Sequence, residues 1–196
     1  PYGEVLLNRS VVNDVGRVAS ILEKYSPIGS VAAESCTGSA NFLDELNRVT
    51  GYTVKLCHPG YARRMKSNPD KTDFSDSELL SDLNRVGYLP EVWLAPEALR
   101  DLRMLIRYRQ QIVKQKKNTK QRIRAILRNN RLKVPSDKSI WSKRGIEWLY
   151  SVKEFSRYTS WILTEHLAEL EVCVKKIKNC ESMFKDVAKT DSQVRQ

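Results

Sequence analysis

The sequence has few residues of the kinds that hold metals through sulfur or nitrogen, and it has no long apolar run. Its 196 residues include four cysteines without a CxxC pair and two isolated histidines, His58 and His166. A zinc site is therefore not expected, and the cysteines are expected to be reduced thiols of a cytosolic protein. No run approaches the ~18 apolar residues of a membrane span, so no membrane partner is expected. Apolar residues still make up 41% of the chain, which is enough for a folded core.

Acidic residues are almost absent from one segment, and this absence determines the charge of the chain. Residues 100–133 hold 13 Lys and Arg against one acid, whereas residues 1–99 hold 10 against 13 and residues 134–196 hold 11 against 9. The net charge of +11 therefore comes from that segment. A concentrated basic block is typical of a protein that binds a polyanion such as nucleic acid. The alternative is a solvated helix face, although such faces normally mix both signs.

The first part of the chain, residues 1–95, predicts an α/β domain. Residues 60–72 are polar and basic and predict a loop. Apolar spacing and turn residues predict the other elements, which are extended segments over 5–7 and 9–12, helices over 17–25, 41–50 and 75–86, and strands over 30–34 and 52–57. Strands that alternate with helices indicate a parallel or mixed sheet covered by helices.

The second part, residues 96–190, predicts two long helices, followed by a polar tail over 191–196. One helix is expected over 97–130 and the other over 157–188, which together indicate a long antiparallel coiled-coil hairpin that could pair subunits. In the connection, Trp141 and Trp148 are interpreted as packing anchors rather than as platforms for bases. The first helix has an imperfect heptad seam, with Leu99, Leu102, Ile106, Val113, Ile123 and Leu127 as its apolar members and Arg109, Lys116 and Lys120 at the remaining seam positions.

Three acids predict a site for a hard divalent cation. Asp73 and Asp76 stand three residues apart at a helix start, so they share one face of the helix. Glu34 ends the strand predicted over 30–34, where open α/β sheets place their sites. Converging carboxylates are what Mg²⁺ prefers. The alternatives are that either Asp caps the helix or interacts with its dipole, and that Glu34 is simply solvated.

The motifs that contain these acids resemble those of a known family. Residues 34–38 resemble its E-x-T-G signature and residues 54–59 its V-x-x-x-x-P strand. Residues 71–77 resemble its K-T-D-x-x-D-A motif, and residues 99–110 its L-R-x-L-x-R-x-R motif. The family is the DEDD-type insertion-sequence transposases, the insertion-sequence one-hundred-ten family, which includes the Piv and MooV invertases.

This resemblance implies an RNase H-like (RuvC-like) domain, followed by a coiled coil. Members hold Mg²⁺ through four acids in the order Asp, Glu, Asp, Asp, and Glu34, Asp73 and Asp76 match the last three. Members are prokaryotic recombinases that excise and insert the element, and some use a guide RNA that bridges donor and target DNA. The resemblance therefore implies DNA as a partner, a homo-oligomer formed through the coiled coil, and a cytoplasmic location at the nucleoid.

The chain departs from the family pattern in three ways. The family's first Asp would lie upstream of Pro1, and Asp14 is a poor substitute for it. A serine-bearing domain would follow Gln196, so we expect this chain to be a part of such a transposase, truncated at both ends. Ser77 replaces the usual Ala. Two other functions stay open, namely a RuvC-like junction nuclease and a non-catalytic module for nucleic-acid binding and assembly.

Basic residues complete the predicted site. Arg63, Arg64, Lys66 and Lys71 are expected to contact phosphates near the acids. The basic helix is expected to follow a nucleic-acid backbone by charge, with little reading of bases. Its predicted contact residues are Arg100, Arg103, Arg107, Lys114, Lys117, Arg124 and Arg128.

Overall fold

The computed structural model describes residues 3–65, 72–135 and 139–190. The chain divides into two compact units, an N-terminal unit (Pro1–Glu97) and a C-terminal unit (Ala98–Gln196). The elements of the N-terminal unit are, in order, α1 (Val15–Glu23), β1 (Ser30–Glu34), α2 (Ser39–Thr50), β2 (Thr53–Cys57), α3 (Pro59–Arg64), α4 (Asp73–Arg85) and β3 (Glu91–Val92). The C-terminal unit contains α5 (Glu97–Asn129), which begins at the last residue of the first unit, then α6 (Lys143–Ser151) and α7 (Arg157–Thr190).

The N-terminal unit is built on a small mixed sheet in the order β1-β2-β3. Strands β1 and β2 are parallel, with Ser30 opposite Thr53 and Glu34 opposite Cys57. Strand β3 is antiparallel to β2 and pairs through Glu91 and Val92 only. The predicted α/β class with a mixed sheet is therefore confirmed.

Helix α2 supplies much of the core of this unit. Leu43 and Leu46 lie three residues apart, so they share a face, and both are fully buried. The helix ends at Gly51, whose φ of 72° is readily adopted by a residue without a Cβ. The chain then enters β2, where Leu56 and Cys57 are buried.

The segments predicted to be extended, 5–7 and 9–12, take no part in the sheet. The Asn8 side chain between them donates a hydrogen bond to the Phe74 carbonyl (3.1 Å). The prediction of a loop over 60–72 is wrong at its start, where helix α3 overlaps it. Its start is favourable because His58 Nδ1 accepts a hydrogen bond from the Gly60 N–H (3.1 Å) and Pro59 occupies the first turn.

In the C-terminal unit, the two long predicted helices are confirmed as α5 and α7. Helix α6 is not among the predicted elements, because the segment that leads into it has the composition of a connection. Its N-terminus is capped by a serine, since the Ser142 hydroxyl accepts a hydrogen bond from the Gly145 N–H (3.1 Å). The main core joins all three helices through Ile123, Leu127, Ile140, Leu149, Phe155, Leu163, Leu167 and Leu170.

Contacts between α5 and α7 show that the two helices run in opposite directions. Arg109 donates to Glu181 and Gln115 donates to Glu169, both at 3.0 Å, so positions further along α5 meet earlier positions on α7. The predicted α5 seam is wrong at three of its six apolar positions, because Leu99, Ile106 and Val113 are exposed (38%, 40% and 41%). Ile112, which the predicted seam leaves out, is only 6% exposed. The buried row passes through Thr119, whose hydroxyl donates to the Gln115 carbonyl of its own helix (3.0 Å). Because this buried residue is polar, the apolar pattern of the sequence does not show which face of α5 is buried.

Glu169 forms a polar link between the two helices. Its carboxylate accepts a hydrogen bond from Gln115 and lies 3.4 Å from His166 Nδ1 and 3.8 Å from Arg122 Nη1. The hydrogen bond from Gln115, aided by Thr119, His166 and the charge of Arg122, holds the pKa of Glu169 below its usual value, although burial opposes this shift. The folded state therefore favours the ionised carboxylate.

Replacing Glu169 by alanine is expected to destabilise the folded chain by about 1–2 kcal/mol at neutral pH, because hydrogen bonds to a charged group are lost. The folded pKa of Glu169 is lowered, so this stabilisation is complete above the unfolded pKa and is lost as pH falls through the folded pKa. Urea unfolding at neutral and acidic pH measures it. Glu165→Ala, at an exposed position of the same helix, is the control. An equal loss at both pH values would contradict the expectation.

Candidate functional site

Glu34 lies at the carboxyl end of β1 with its side chain exposed. The chain stays paired with β2 just beyond it, because the Ser35 N–H donates to the Cys57 carbonyl (2.8 Å). Burial raises the pKa of the Cys57 thiol, and the nearby negative charge of Glu34 raises it further. Glu34 therefore lies at the edge of the sheet where both parallel strands end, as predicted.

The first turn of α4 carries Asp73 and Asp76, but neither caps the helix. Thr72 is the N-cap, since its Oγ1 accepts a hydrogen bond from the Ser75 N–H (3.1 Å), and Ser75 Oγ accepts in return from the Thr72 N–H (3.4 Å). The alternative in which an Asp caps this helix is therefore wrong. Asp73 is exposed and Asp76 is half-buried, and both suit the positive end of the helix dipole.

Helix α4 packs against β1. Asn84, near the C-terminal end of the helix, donates to the Ser30 hydroxyl (2.8 Å), and Ser30 begins the strand. The opposite end of α4 holds the two aspartates, and the opposite end of β1 holds Glu34.

The three acids do not form a ready ligand cluster. Across residues 3–65, 72–135 and 139–190, no group of three or more His, Cys, Asp or Glu side chains is placed to hold a metal ion. The assignment of Glu34, Asp73 and Asp76 to a cation thus stays a prediction.

Of the basic residues predicted near the acids, the structure describes two. Arg63 and Arg64 end α3 and are both exposed. The Arg64 guanidinium lies 5.6 Å from the centre of the Tyr61 ring, which in turn lies 4.6 Å from the His58 ring. The other two, Lys66 and Lys71, lie outside the described residues.

The seven predicted contact residues of the basic helix all lie on α5, and we call them the α5 cationic face. At roughly 100° of rotation per residue, all seven fall within about a third of the helix circumference, opposite the buried row of Ile112, Thr119 and Ile123. Arg100 is half-buried. The six exposed members are Arg103, Arg107, Lys114, Lys117, Arg124 and Arg128.

Two other cations of α5 are paired with α7 instead. Arg109 contacts Glu181 at 3.0 Å and Arg122 contacts Glu169 at 3.8 Å. Their charges are partly neutralised within the fold. Arg109 and Arg122 therefore pair with α7, whereas the α5 cationic face lies opposite the buried row.

One arrangement of side chains is not predicted by the sequence. The Lys120 ammonium lies 4.6 Å and the Arg124 guanidinium 5.4 Å from the centre of the Trp141 ring. The sequence indicates only a packing role for Trp141. The spacing of Lys120 and Arg124 shows that they share a helix face, but nothing local to the sequence indicates that the distant tryptophan covers them.

Among the helices of the described chain, none is both long enough and apolar enough to cross a membrane. A protein-family model described as a transposase, of the DEDD insertion-sequence type, matches residues 1–130, about two thirds of the chain. The matched range contains the three acids and all of α5. No match was found among curated proteins or among solved structures.

Proposed function

Because the family match covers well over half of its length, the chain belongs to the DEDD transposases of the insertion-sequence one-hundred-ten family, and we propose that it binds DNA during transposition of an insertion sequence. The N-terminal unit is proposed to take part in Mg²⁺-dependent strand cleavage and transfer. The C-terminal unit is proposed to hold nucleic acid through the α5 cationic face.

The α5 cationic face is the observation that carries the binding proposal. Six of its seven members are exposed, and they lie on the side of α5 opposite the buried residues Ile112, Thr119 and Ile123. Cations arranged along about 40 Å of one helix match the regular charge of a nucleic-acid backbone. Contacts of this kind position a backbone without reading its sequence. The same chemistry accepts RNA, so a guide RNA is a second proposed ligand.

The dimensions of α4 and β1 support the proposed acidic site. About 12 Å of helix separates Asp76 from Asn84, and about 13 Å of strand separates Glu34 from Ser30. Because Asn84 contacts Ser30 and the helix packs on the strand, we expect the first turn of α4 to lie toward Glu34. Closing the three side chains on one ion then requires rotation of their side chains, which exposure of Glu34 and Asp73 permits.

Glu34, Asp73 and Asp76 provide oxygen ligands, which suit Mg²⁺ by their chemistry. When bound, Mg²⁺ would stabilise charge on the oxygens of a phosphodiester that is being cleaved. Arg63 and Arg64 are proposed to contact the adjacent phosphates, together with Lys66 and Lys71. Their role is to orient the backbone at the acids.

The finer architecture is also part of the proposal. We infer an RNase H-like arrangement for the N-terminal unit and a coiled coil for α5 and α7. Exposed apolar side chains on α7, including Trp161, Val172 and Met183, support pairing of copies of the chain through this region.

One observation favours a second candidate function, a non-catalytic module for nucleic-acid binding and assembly. No group of three metal-ligating side chains is gathered among the described residues. In that case Asp73 and Asp76 have a structural role at the start of α4, where they suit the helix dipole. Nucleic-acid binding that is indifferent to Mg²⁺ and to Asp73→Ala would support this candidate.

The salt dependence of DNA affinity tests the binding proposal. Each neutralised phosphate adds about 0.9 to the slope of log affinity against log salt, so seven contacts predict a slope near −6. Arg107→Gln with Lys114→Gln is expected to reduce that slope by about 2. Fluorescence anisotropy of a labelled duplex measures both values.

The matched control is Lys175→Gln with Lys178→Gln, which removes the same charge from exposed positions of α7. It is expected to leave the slope nearly unchanged. Affinity that is weak and independent of salt in the unaltered chain would contradict the proposed function.

A further inference from the structure

An open pocket of about 610 Å³ lies beside the C-terminal part of α5. Its polar lining comes from Gln121, Arg124 and Arg128 of α5 and from Ser139, and Ile140 and Trp141 form part of its apolar wall. We call it the Trp141 pocket. None of the described residues that line it is acidic.

Cations crowd this side of α5. Lys120, Arg124 and Arg128 follow one another at four-residue intervals, so they lie nearly in line along the helix. Burial, followed by the positive charges of Lys116 and Arg124, lowers the pKa of Lys120. Within the described part of the chain, neither Arg124 nor Arg128 is paired with a carboxylate, in contrast to Arg109 and Arg122. These neighbouring positive charges therefore repel one another.

Trp141 reduces this repulsion without removing the charge. The electron-rich face of an indole attracts cations, and Lys120 and Arg124 both lie within about 6 Å of it, the usual limit for such contacts. A half-buried tryptophan thus holds two like charges side by side. Its own Nε1–H is buried and has no acceptor among the described residues, which is unfavourable unless an acceptor is supplied.

A phosphate group fits this chemistry. Its oxygens accept hydrogen bonds from guanidinium groups in paired geometry, and its negative charge relieves the repulsion among the three cations. The Gln121 amide and the Ser139 hydroxyl add neutral donors at the same pocket. Because Arg124 and Arg128 are also the last members of the α5 cationic face, a backbone that follows α5 arrives at this pocket.

We propose that the Trp141 pocket binds a phosphodiester of the nucleic-acid backbone, with Arg124 and Arg128 as its ligands and Trp141 as a positioning residue for Lys120 and Arg124. This inference rests on the proposed function and gives it a fixed anchoring point. The rest of the α5 cationic face holds the backbone by charge alone. The pocket adds a concave contact at one end.

The test compares Arg124→Gln/Arg128→Gln with the charge-matched Lys175→Gln/Lys178→Gln in the full chain. Anisotropy of a labelled DNA duplex and of a single-stranded RNA of the same sequence gives affinity and salt slope. The pocket variant is expected to bind about tenfold or more weakly and to lose about 1–2 from the slope, whereas the control changes little. If the pocket variant loses affinity for both DNA and RNA, the pocket binds either backbone. If it loses affinity for one of them, the pocket binds that nucleic acid.

Trp141→Leu keeps the charge of the chain and removes the aromatic face. It is expected to weaken binding severalfold, Trp141→Phe is expected to retain most of the affinity, and Trp161→Leu, at an exposed position on α7, is the control. If Trp141→Leu does not fold, the exposed arginine pair decides the test.

The outcomes separate the two proposals. A steep salt slope in the unaltered chain together with equal effects of the pocket and α7 variants would overturn the pocket and leave the proposed function intact. Absence of salt-dependent binding in the unaltered chain would overturn both.

Discussion

Replacing Asp73 and Asp76 together by asparagine is expected to abolish binding of Mg²⁺ or of its paramagnetic substitute Mn²⁺. Amide oxygens carry no charge, and hard divalent cations depend on carboxylates for affinity. Any Mg²⁺-dependent DNA cleavage should fall by about 10³-fold, since loss of the metal removes several kcal/mol of transition-state stabilisation. Electron paramagnetic resonance of free Mn²⁺, titrated with the chain, measures the binding directly.

The control for this pair is Glu78→Gln, which changes an exposed acid on the same helix outside the proposed ligand set. Its Mn²⁺ affinity should equal that of the unaltered chain. DNA affinity in metal-free buffer should not fall in the double variant, because removing negative charge does not weaken contacts to phosphates. Unchanged Mn²⁺ binding by the double variant would contradict the acidic site and favour the non-catalytic module.

Replacing Gly145 by alanine is expected to destabilise the C-terminal unit by about 3 kcal/mol. Gly145 lies buried in the first turn of α6, and an added Cβ would lie 2.6 Å from Ile140 Cα and also overlap the Ser139 carbonyl oxygen. These are backbone atoms of the segment that carries Trp141, so they cannot move away independently. The melting temperature followed by circular dichroism should fall by more than about 10 °C.

Gly29→Ala is the matched control, because no atom lies within 4 Å of the Cβ it would add. That variant should melt within about 2 °C of the unaltered chain, or slightly above it, since alanine reduces the entropy of the unfolded chain. A Gly145→Ala variant that melts like the unaltered chain would be incompatible with the tight packing of α6 against residues 139–140.

The long helices could be predicted because their signals are local. Apolar residues at 3-4 spacing define one face of a helix. This pattern continues through all 33 residues of α5 and all 34 residues of α7. Strand β1 has the ends that its sequence predicts, since a short apolar run between turn residues leaves few other choices. Which face of α5 is buried is harder to predict, because the buried row includes the polar residue Thr119. Its hydroxyl donates a hydrogen bond to a carbonyl of its own helix.

Short elements and tertiary contacts could not be predicted in the same way. Helix α3 spans six residues, too few to show a periodic pattern, and only His58 and Pro59 mark its start. Residues 5–7 and 9–12 are predicted to be extended, but pairing in a sheet requires a neighbouring strand, which the described chain does not place there. The Asn8 side chain between them contacts α4 instead.

In the candidate site too, local positions could be predicted and tertiary contacts could not. Sequence spacing predicts Asp73 and Asp76 on one helix turn and Glu34 at a strand end, and both positions are as predicted. Whether three such carboxylates close on one ion depends on side-chain rotations that spacing does not determine. The contact of Trp141 with Lys120 and Arg124 depends on the path of the segment after α5, which no local pattern indicates.

Photo-cross-linking of duplex DNA to the full chain, with peptide mapping by mass spectrometry, would show whether nucleic acid lies along the α5 cationic face. We expect the cross-linked peptides to come mainly from the part of α5 between Arg100 and Arg128, and their yield to fall steeply as salt rises. Cross-links confined to α7, or a yield on α5 that does not respond to salt, would contradict this expectation.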